Sequence, residues 1–146
     1  GSYHAEAIDL LANNLAVVEE PSSKGTGNEV DMEQILNWNP DVILFAPGSI
    51  YASVGSNENW QTVTAIKNGA YYEVPMGPYN WMGFPPSVQR LLGMTWMAKI
   101  LYPTAADYDL YTEVSTYFQL FYHCELTQAQ YDALVGGSAP LNDQAA

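Results

Sequence analysis

The stretch Asn39-Pro40-Asp41-Val42-Ile43-Leu44-Phe45-Ala46 decides the fold class of this chain. Its last five residues form a continuous apolar run, which is typical of a strand buried on both faces in a parallel sheet. Asn39-Pro40 ends any helix before the run, because the residue before a proline avoids the helical region. The stretch therefore predicts a helix followed directly by a central parallel strand.

The residues before this stretch predict a helix, a strand and a second helix. Ser2 is placed to cap the first helix, and the apolar run Leu15–Val18 predicts a short strand. A loop rich in Gly, Ser and Pro follows at residues 21–28. Asp31 and Gln34 then form an Asp-x-x-Gln capping box, which predicts the start of the helix that ends at Asn39-Pro40.

The residues after it continue the alternation of helices and strands. The predicted elements are a helix containing Trp60, Val63 and Ile66, a strand at 71–74, a long helix from Ser87 to Pro103, a helix at 108–122, and a short helix opened by the capping box Thr127-x-x-Gln130. Strand-helix-strand alternation predicts an α/β fold, a three-layer sandwich in which helices flank a mainly parallel sheet.

One domain is expected from 146 residues. The predicted organisation is a tag scar at residues 1–2, a lobe at 3–136 and a flexible tail at 137–146, since Gly1-Ser2 replaces an initiator Met and Gly136-Gly137 ends the last helix.

The charge of the chain disfavours two classes of partner. Sixteen acidic and four basic residues give a formal charge of −12, which repels nucleic-acid phosphates and anionic lipid headgroups. No apolar run approaches the roughly 18 residues of a membrane span, and no signal peptide is visible. We therefore expect neither nucleic-acid binding nor direct membrane insertion of this segment.

Two loops follow the carboxyl ends of the predicted strands, where open α/β sheets bind their ligands. These rim loops, residues 47–57 and 75–86, contain aromatic and amide side chains that helix or strand packing does not explain. The predicted ligand-binding residues are Ser49, Tyr51, Tyr79, Asn80, Trp81, Met82 and Phe84. The alternative for Trp81 and Phe84 is that they fold back as a plug over the sheet edge.

Catalytic and metal-binding patterns are absent from the sequence. Ser49 lacks a G-x-S-x-G elbow, and there is no P-loop, G-x-G-x-x-G or H-E-x-x-H motif. The adjacent pair His123-Cys124 has no second Cys or His pair to complete a metal site. The sequence predicts neither an enzyme nor a resident cofactor or metal.

Four segments resemble one family of proteins in the same order. Residues 30–43, with the helix followed by Asn39-Pro40-Asp41-Val42-Ile43, look like a motif of periplasmic binding proteins for iron-siderophore complexes and cobalamin. The other similar segments are Trp60 to Gly69, Leu91 to Pro103, and Phe121-Tyr122 with Leu126-Thr127. The resemblance covers most of residues 3–135.

The resemblance implies a Rossmann-like C-terminal lobe of a two-lobe substrate-binding protein, with the N-terminal lobe missing from this chain. It further implies an extracytoplasmic location, periplasmic or lipid-anchored at the cell surface, and an ABC permease as partner. Glu58 is a candidate permease-docking residue by this likeness, and its alternative is an exposed helix-start carboxylate.

The ligand class that the resemblance implies is an iron complex: a siderophore, haem or a cobalamin-like molecule. Neither rim loop contains Lys or Arg, which favours haem, cobalamin or a neutral siderophore over an anionic catecholate complex. One alternative is a small oxyanion such as molybdate, held by backbone amides at the start of the Ser87 helix. Another is a non-catalytic interaction module that uses the aromatic rim as a protein interface.

Overall fold

Two short parallel strands lie at the centre of the fold, which a computed structural model describes for residues 3–17 and 28–138. Strand β1 (Ile43–Phe45) pairs with β2 (Tyr71–Glu73) in the register Ile43 to Tyr71, Leu44 to Tyr72 and Phe45 to Glu73. This confirms the predicted parallel pairing. The strand expected at 15–18 is wrong for residues 15–17, which are irregular, and Val18 lies outside the described residues.

The helices of the described segments are, in chain order, α1 (Glu6–Leu11), α2 (Met32–Trp38), α3 (Tyr51–Val54), α4 (Thr64–Lys67), α5 (Arg90–Leu101), α6 (Leu110–Tyr122) and α7 (Gln128–Val135). A 3-10 turn at Gly136–Ser138 follows α7, and Ser138 is buried. The flexible tail predicted at 137–146 lies outside the described residues from 139 onward, and it stays a prediction.

Three helix starts follow their capping sequences. Both predicted capping boxes form: Asp31 exchanges side-chain and backbone hydrogen bonds with Gln34, and Thr127 does so with Gln130. Asp109 caps α6 by accepting a hydrogen bond from the backbone N–H of Thr112 at 2.7 Å. These helices start where local sequence chemistry places them.

Besides α1, which begins at Glu6 without a side-chain cap while the predicted cap Ser2 lies outside the described residues, two helices differ from their predicted bounds. The helix expected around Trp60 is reduced to α4, because residues 57–63 form successive turns closed by bonds such as Val63 N–H to Trp60 O at 3.0 Å. The long helix begins at Arg90 and not at Ser87, whose Oγ accepts the Gln89 N–H at 3.2 Å. Both differences arise where tight turns, closed by local hydrogen bonds, replace the first helical turns.

The sheet separates two apolar clusters, since successive strand residues point to opposite faces. Tyr72 and Leu44 pack with the larger cluster, whose buried residues come mainly from α5, α6 and α7: Leu92, Trp96, Met97, Leu110, Val114, Tyr117, Phe118, Tyr131 and Val135. Phe45 and Ile43 pack with the smaller cluster of Val54, Val63, Ala65 and Ile66. Helices thus cover both faces, which confirms the α/β class with a small parallel sheet flanked by helices.

None of the helices in these described segments is long and apolar enough to cross a membrane.

Candidate functional site

The two rim loops start side by side at one edge of the sheet. Phe45 and Glu73 are the last residues of their strands and are register partners, so the chain leaves both strands at the same edge. Carboxyl ends of parallel strands are where α/β folds place their binding residues. The predicted juxtaposition of the loops is therefore present in the structure.

The first rim loop begins with a tight turn that is tied to the sheet. The Ser49 N–H donates to Ala46 O at 3.2 Å, and Gly48 has φ +71°, a conformation that favours glycine. The Gly48 N–H donates to the Glu73 carboxylate at 2.9 Å. The turn leaves Ser49 and Ile50 exposed immediately before α3.

Tyr51, the first residue of α3, lies half-buried in an aromatic cluster. Its ring centroid is 5.6 Å from Tyr71 and 6.1 Å from Phe45, and Phe45 in turn meets Trp60 edge-on at 5.6 Å. Burial raises the pKa of the Tyr51 hydroxyl above its ordinary value, and Tyr71 and Glu73 raise it further. Tyr51 is therefore a neutral phenol that packs against the sheet and keeps part of its surface at the rim.

Trp81 and Met82 do not project from the second rim loop. Trp81 is 0% exposed, and its indole N–H donates to Gly77 O at 3.0 Å, while Met82 is also buried. Gly93 of α5 lies directly against the backbone of Trp81, which draws this part of the loop into the larger core cluster. The prediction that these two side chains face a ligand is corrected: burial in the core fits the alternative of an inward fold for Trp81.

Asn80 supports the loop from within. It is 7% exposed, and its Oδ1 accepts the backbone N–H groups of Met82 at 2.9 Å and Gly83 at 3.0 Å. The fully buried Gln89 adds a second tie, because its Nε2 donates to Gly77 O at 2.9 Å. The side-chain oxygen of Asn80 is thus used by the loop itself, and the role predicted for it in orienting a ligand has no support from this bonding pattern.

Tyr79 and Phe84 are the rings that the second rim loop presents to solvent. Tyr79 is 52% and Phe84 64% exposed, and Phe84 lies 5.4 Å from the His4 ring. The plug alternative does not hold for Phe84, which stays outside. The site residues that remain accessible are Ser49 and Tyr51 on one loop and Tyr79 and Phe84 on the other.

A groove of about 390 Å³ lies between α1 and the start of α5. Its lining is mainly apolar and consists of Glu6, Ala7, Leu10, Ser87, Val88, Arg90, Leu91 and Met94. Glu6 and Arg90 form an ion pair at its wall. Arg90 is therefore paired with a carboxylate. Apart from this ion pair and the Ser87 hydroxyl, the side chains that line the groove are apolar.

Two further sequence expectations have a defined position. Glu58 is exposed in the turns between α3 and α4, where its docking role remains a prediction. Cys124 is exposed beside His123, and within residues 3–17 and 28–138 no group of three or more His, Cys, Asp or Glu side chains could hold a metal ion.

Glu73 is a site residue that the sequence analysis did not single out. The signal that points to it is a carboxylate at the end of an apolar strand.

No known family profile matches the sequence. The molybdate-binding protein MolA of Haemophilus influenzae is 33% identical over 97 residues, which are 64% of this chain and 27% of that protein. Its structure with bound molybdate superposes with a TM-score of 0.69 at 28% identity, covering 86% of this chain and 38% of that one.

Two other solved structures are similar over more of the chain. A solute-binding protein of an ABC transporter from Sulfurospirillum deleyianum is 34% identical with a TM-score of 0.83, covering 91% of this chain and 41% of that one. A periplasmic solute-binding protein from Veillonella parvula is 27% identical with a TM-score of 0.79, covering 95% of this chain and 43% of that one. The chain is thus similar, over about nine tenths of its length, to a portion of these solute-binding proteins that makes up about four tenths of each.

Proposed function

We propose that this chain is one lobe of the extracytoplasmic solute-binding component of an ABC importer, and that its ligand is a small oxyanion of the molybdate type. The observation that carries the proposal is the double similarity to a molybdate-binding protein, in sequence and in a molybdate-bound structure. Similar structures from two other organisms are also solute-binding proteins, which supports transport over catalysis.

The oxyanion replaces the iron complex as the preferred ligand class. A large flat ligand such as haem needs an extended apolar surface to stack against. The burial of Trp81 and Met82 removes two of the side chains expected to supply it. A compact oxyanion needs only a few hydrogen-bond donors, so the smaller accessible rim suits it better.

Neutral donors would hold such an anion on this lobe. The rim loops contain no Lys or Arg, while Ser49 and Tyr79 are exposed and carry hydroxyl donors. Tyr51 stands at the start of α3 and is only half-buried, so part of its side chain is accessible. We expect Ser49, Tyr51 and Tyr79 to contribute contacts, with Phe84 closing the site against an opposing lobe.

The partners in this proposal are an N-terminal lobe and an ABC permease. The chain spans about four tenths of the solved solute-binding proteins it matches, so a second lobe of comparable size would complete the cleft. Glu58 is exposed near the rim and would dock on cationic groups of the permease.

Isothermal titration calorimetry on the complete protein tests the ligand class. Molybdate and tungstate should bind, whereas sulfate, haem and cobalamin should give weaker heats or none. Thermal unfolding provides a second measurement, because a ligand at 100 times its Kd stabilises the folded state by about 2.7 kcal/mol.

Variants at the rim show whether this lobe contacts the ligand. Ser49→Ala and Tyr79→Phe should each weaken molybdate binding about fivefold or more, as expected for one lost hydrogen bond. Thr116→Ala, an exposed position on α6, is the matched control and should leave the affinity unchanged. Binding of haem or cobalamin in preference to molybdate would contradict the oxyanion proposal and restore the iron-complex class.

A further inference from the structure

Glu73 joins the end of one strand to the loop that follows the other. It is the last residue of β2, its register partner is Phe45, and its Oε1 accepts the Gly48 N–H at 2.9 Å. The bond links residues 25 positions apart in the sequence. A carboxylate is the stronger kind of acceptor for a backbone N–H, so this contact is well suited to holding the first rim loop against the sheet.

The bonded amide belongs to the residue that sets the direction of the loop. Gly48 has φ +71°, and the following Ser49 N–H closes the turn onto Ala46 O. The Ser53 N–H then donates to Ile50 O at 2.9 Å, so α3 begins directly after the turn. The orientation of Ser49 and Tyr51 at the rim therefore depends on where the Gly48 peptide is held.

The strand end that carries this carboxylate is held by a further hydrogen bond, and the carboxylate lies close to a rim phenol. The Ser138 hydroxyl donates to the backbone oxygen of Glu73, which fixes the end of β2. The charge of Glu73 is one of the influences that raise the pKa of Tyr51, after burial and Tyr71. Glu73 thus lies within electrostatic reach of a rim side chain proposed to contact the ligand.

We infer that Glu73 is a positioning residue for ligand binding, whose carboxylate holds the Gly48 amide and thereby orients Ser49 and Tyr51 without touching the ligand. This inference rests on the proposed function and deepens it. A carboxylate in direct contact with an oxyanion would repel it, so a role through the Gly48 amide is the one compatible with an anionic ligand.

Three substitutions separate the reach of the side chain from its charge. Glu73→Gln keeps an oxygen acceptor at the same distance and removes the charge. Glu73→Asp keeps the charge and is one methylene too short to reach Gly48, and Glu73→Ala removes both. Glu125→Ala, an exposed carboxylate between α6 and α7, is the control for a general change in net charge.

Molybdate titration and amide hydrogen exchange of the complete protein provide the two measurements. Glu73→Asp and Glu73→Ala should weaken molybdate binding about tenfold or more, while Glu73→Gln and Glu125→Ala should stay within about threefold of the unaltered protein. Without ligand, exchange of the Gly48 and Ser49 amides should accelerate in the Asp and Ala variants and not in the Gln variant. Recovery by Gln and not by Asp is the signature of positioning.

Two results would overturn the inference. Unchanged molybdate affinity in Glu73→Ala would show that the loop needs no such support, and tight binding by Asp with weak binding by Gln would show that the charge acts directly. If the unaltered protein binds no molybdate, the proposed function fails, and the exchange rates of the Gln and Asp variants then decide by themselves whether Glu73 holds the loop.

Discussion

Replacing Trp81 by Ala tests the correction that the structure makes to the predicted site. The side chain is 0% exposed within the larger core cluster and donates a hydrogen bond to Gly77 O. Removal of a buried Trp side chain costs about 3–5 kcal/mol in free energy of unfolding. Gly77 O keeps the Gln89 Nε2 donor at 2.9 Å, so the lost hydrogen bond adds little and the cavity dominates.

Urea unfolding followed by far-UV circular dichroism measures this free energy directly. Phe84→Ala is the matched control on the same loop, and its loss should stay below about 1 kcal/mol because the ring is 64% exposed and contacts His4. The loss in free energy of unfolding for Trp81→Phe should lie between those of the two alanine variants. A loss below about 1 kcal/mol for Trp81→Ala, accompanied by weaker ligand binding, would refute the core position and support the ring as a ligand contact.

Three further substitutions probe other parts of the structure. Gly93→Ala should lower the free energy of unfolding by about 1–3 kcal/mol, because the added methyl group would lie 2.8 Å from the Trp81 carbonyl carbon. This loss should exceed the gain from Ala as the better helix former. A higher melting temperature would contradict the close packing of α5 on the loop. Asp109→Ala should lower the free energy of unfolding by about 1 kcal/mol because it removes the cap of α6, whereas Asp109→Asn should lower it much less. Equal melting temperatures of the two variants would contradict this expectation. The raised pKa of Tyr51 favours its neutral form in the folded state, so the resulting stability is complete below the ordinary value of 10.0 and is lost as the pH rises through the folded pKa. Above pH 10.0, Tyr51→Phe should therefore lose less stability than the unaltered protein, as measured by urea midpoints, and an unchanged pH profile would speak against this reasoning.

The local features of the fold could be predicted from the sequence because they depend on neighbours along the chain. The apolar run at 42–46 predicts β1, and the pairs Asp31 with Gln34 and Thr127 with Gln130 place the starts of α2 and α7. Each of these signals acts within a few residues, so no tertiary contact is needed to recognise it. The edge of the sheet at which both rim loops begin follows from the parallel pairing alone.

The sequence does not determine which rim side chains face outward. Trp81 and Phe84 are both large aromatic residues in one Gly- and Pro-rich loop, yet one is sealed in the core and the other is exposed. Their difference depends on α5, where Gly93 allows the backbone of Trp81 to approach closely. The hydrogen bond from Gly48 to Glu73 likewise joins residues 25 positions apart.

The sequence by itself therefore determined the parallel α/β architecture, the starts of α2 and α7 and the position of the rim loops. Only the tertiary structure decided that Trp81 and Met82 belong to the core, that Ser49, Tyr79 and Phe84 remain accessible, and that Glu73 holds the first rim loop. The physical reason is the range of the interactions: periodicity and capping act over one or two turns of chain, whereas the orientation of a loop side chain depends on contacts with elements distant in sequence.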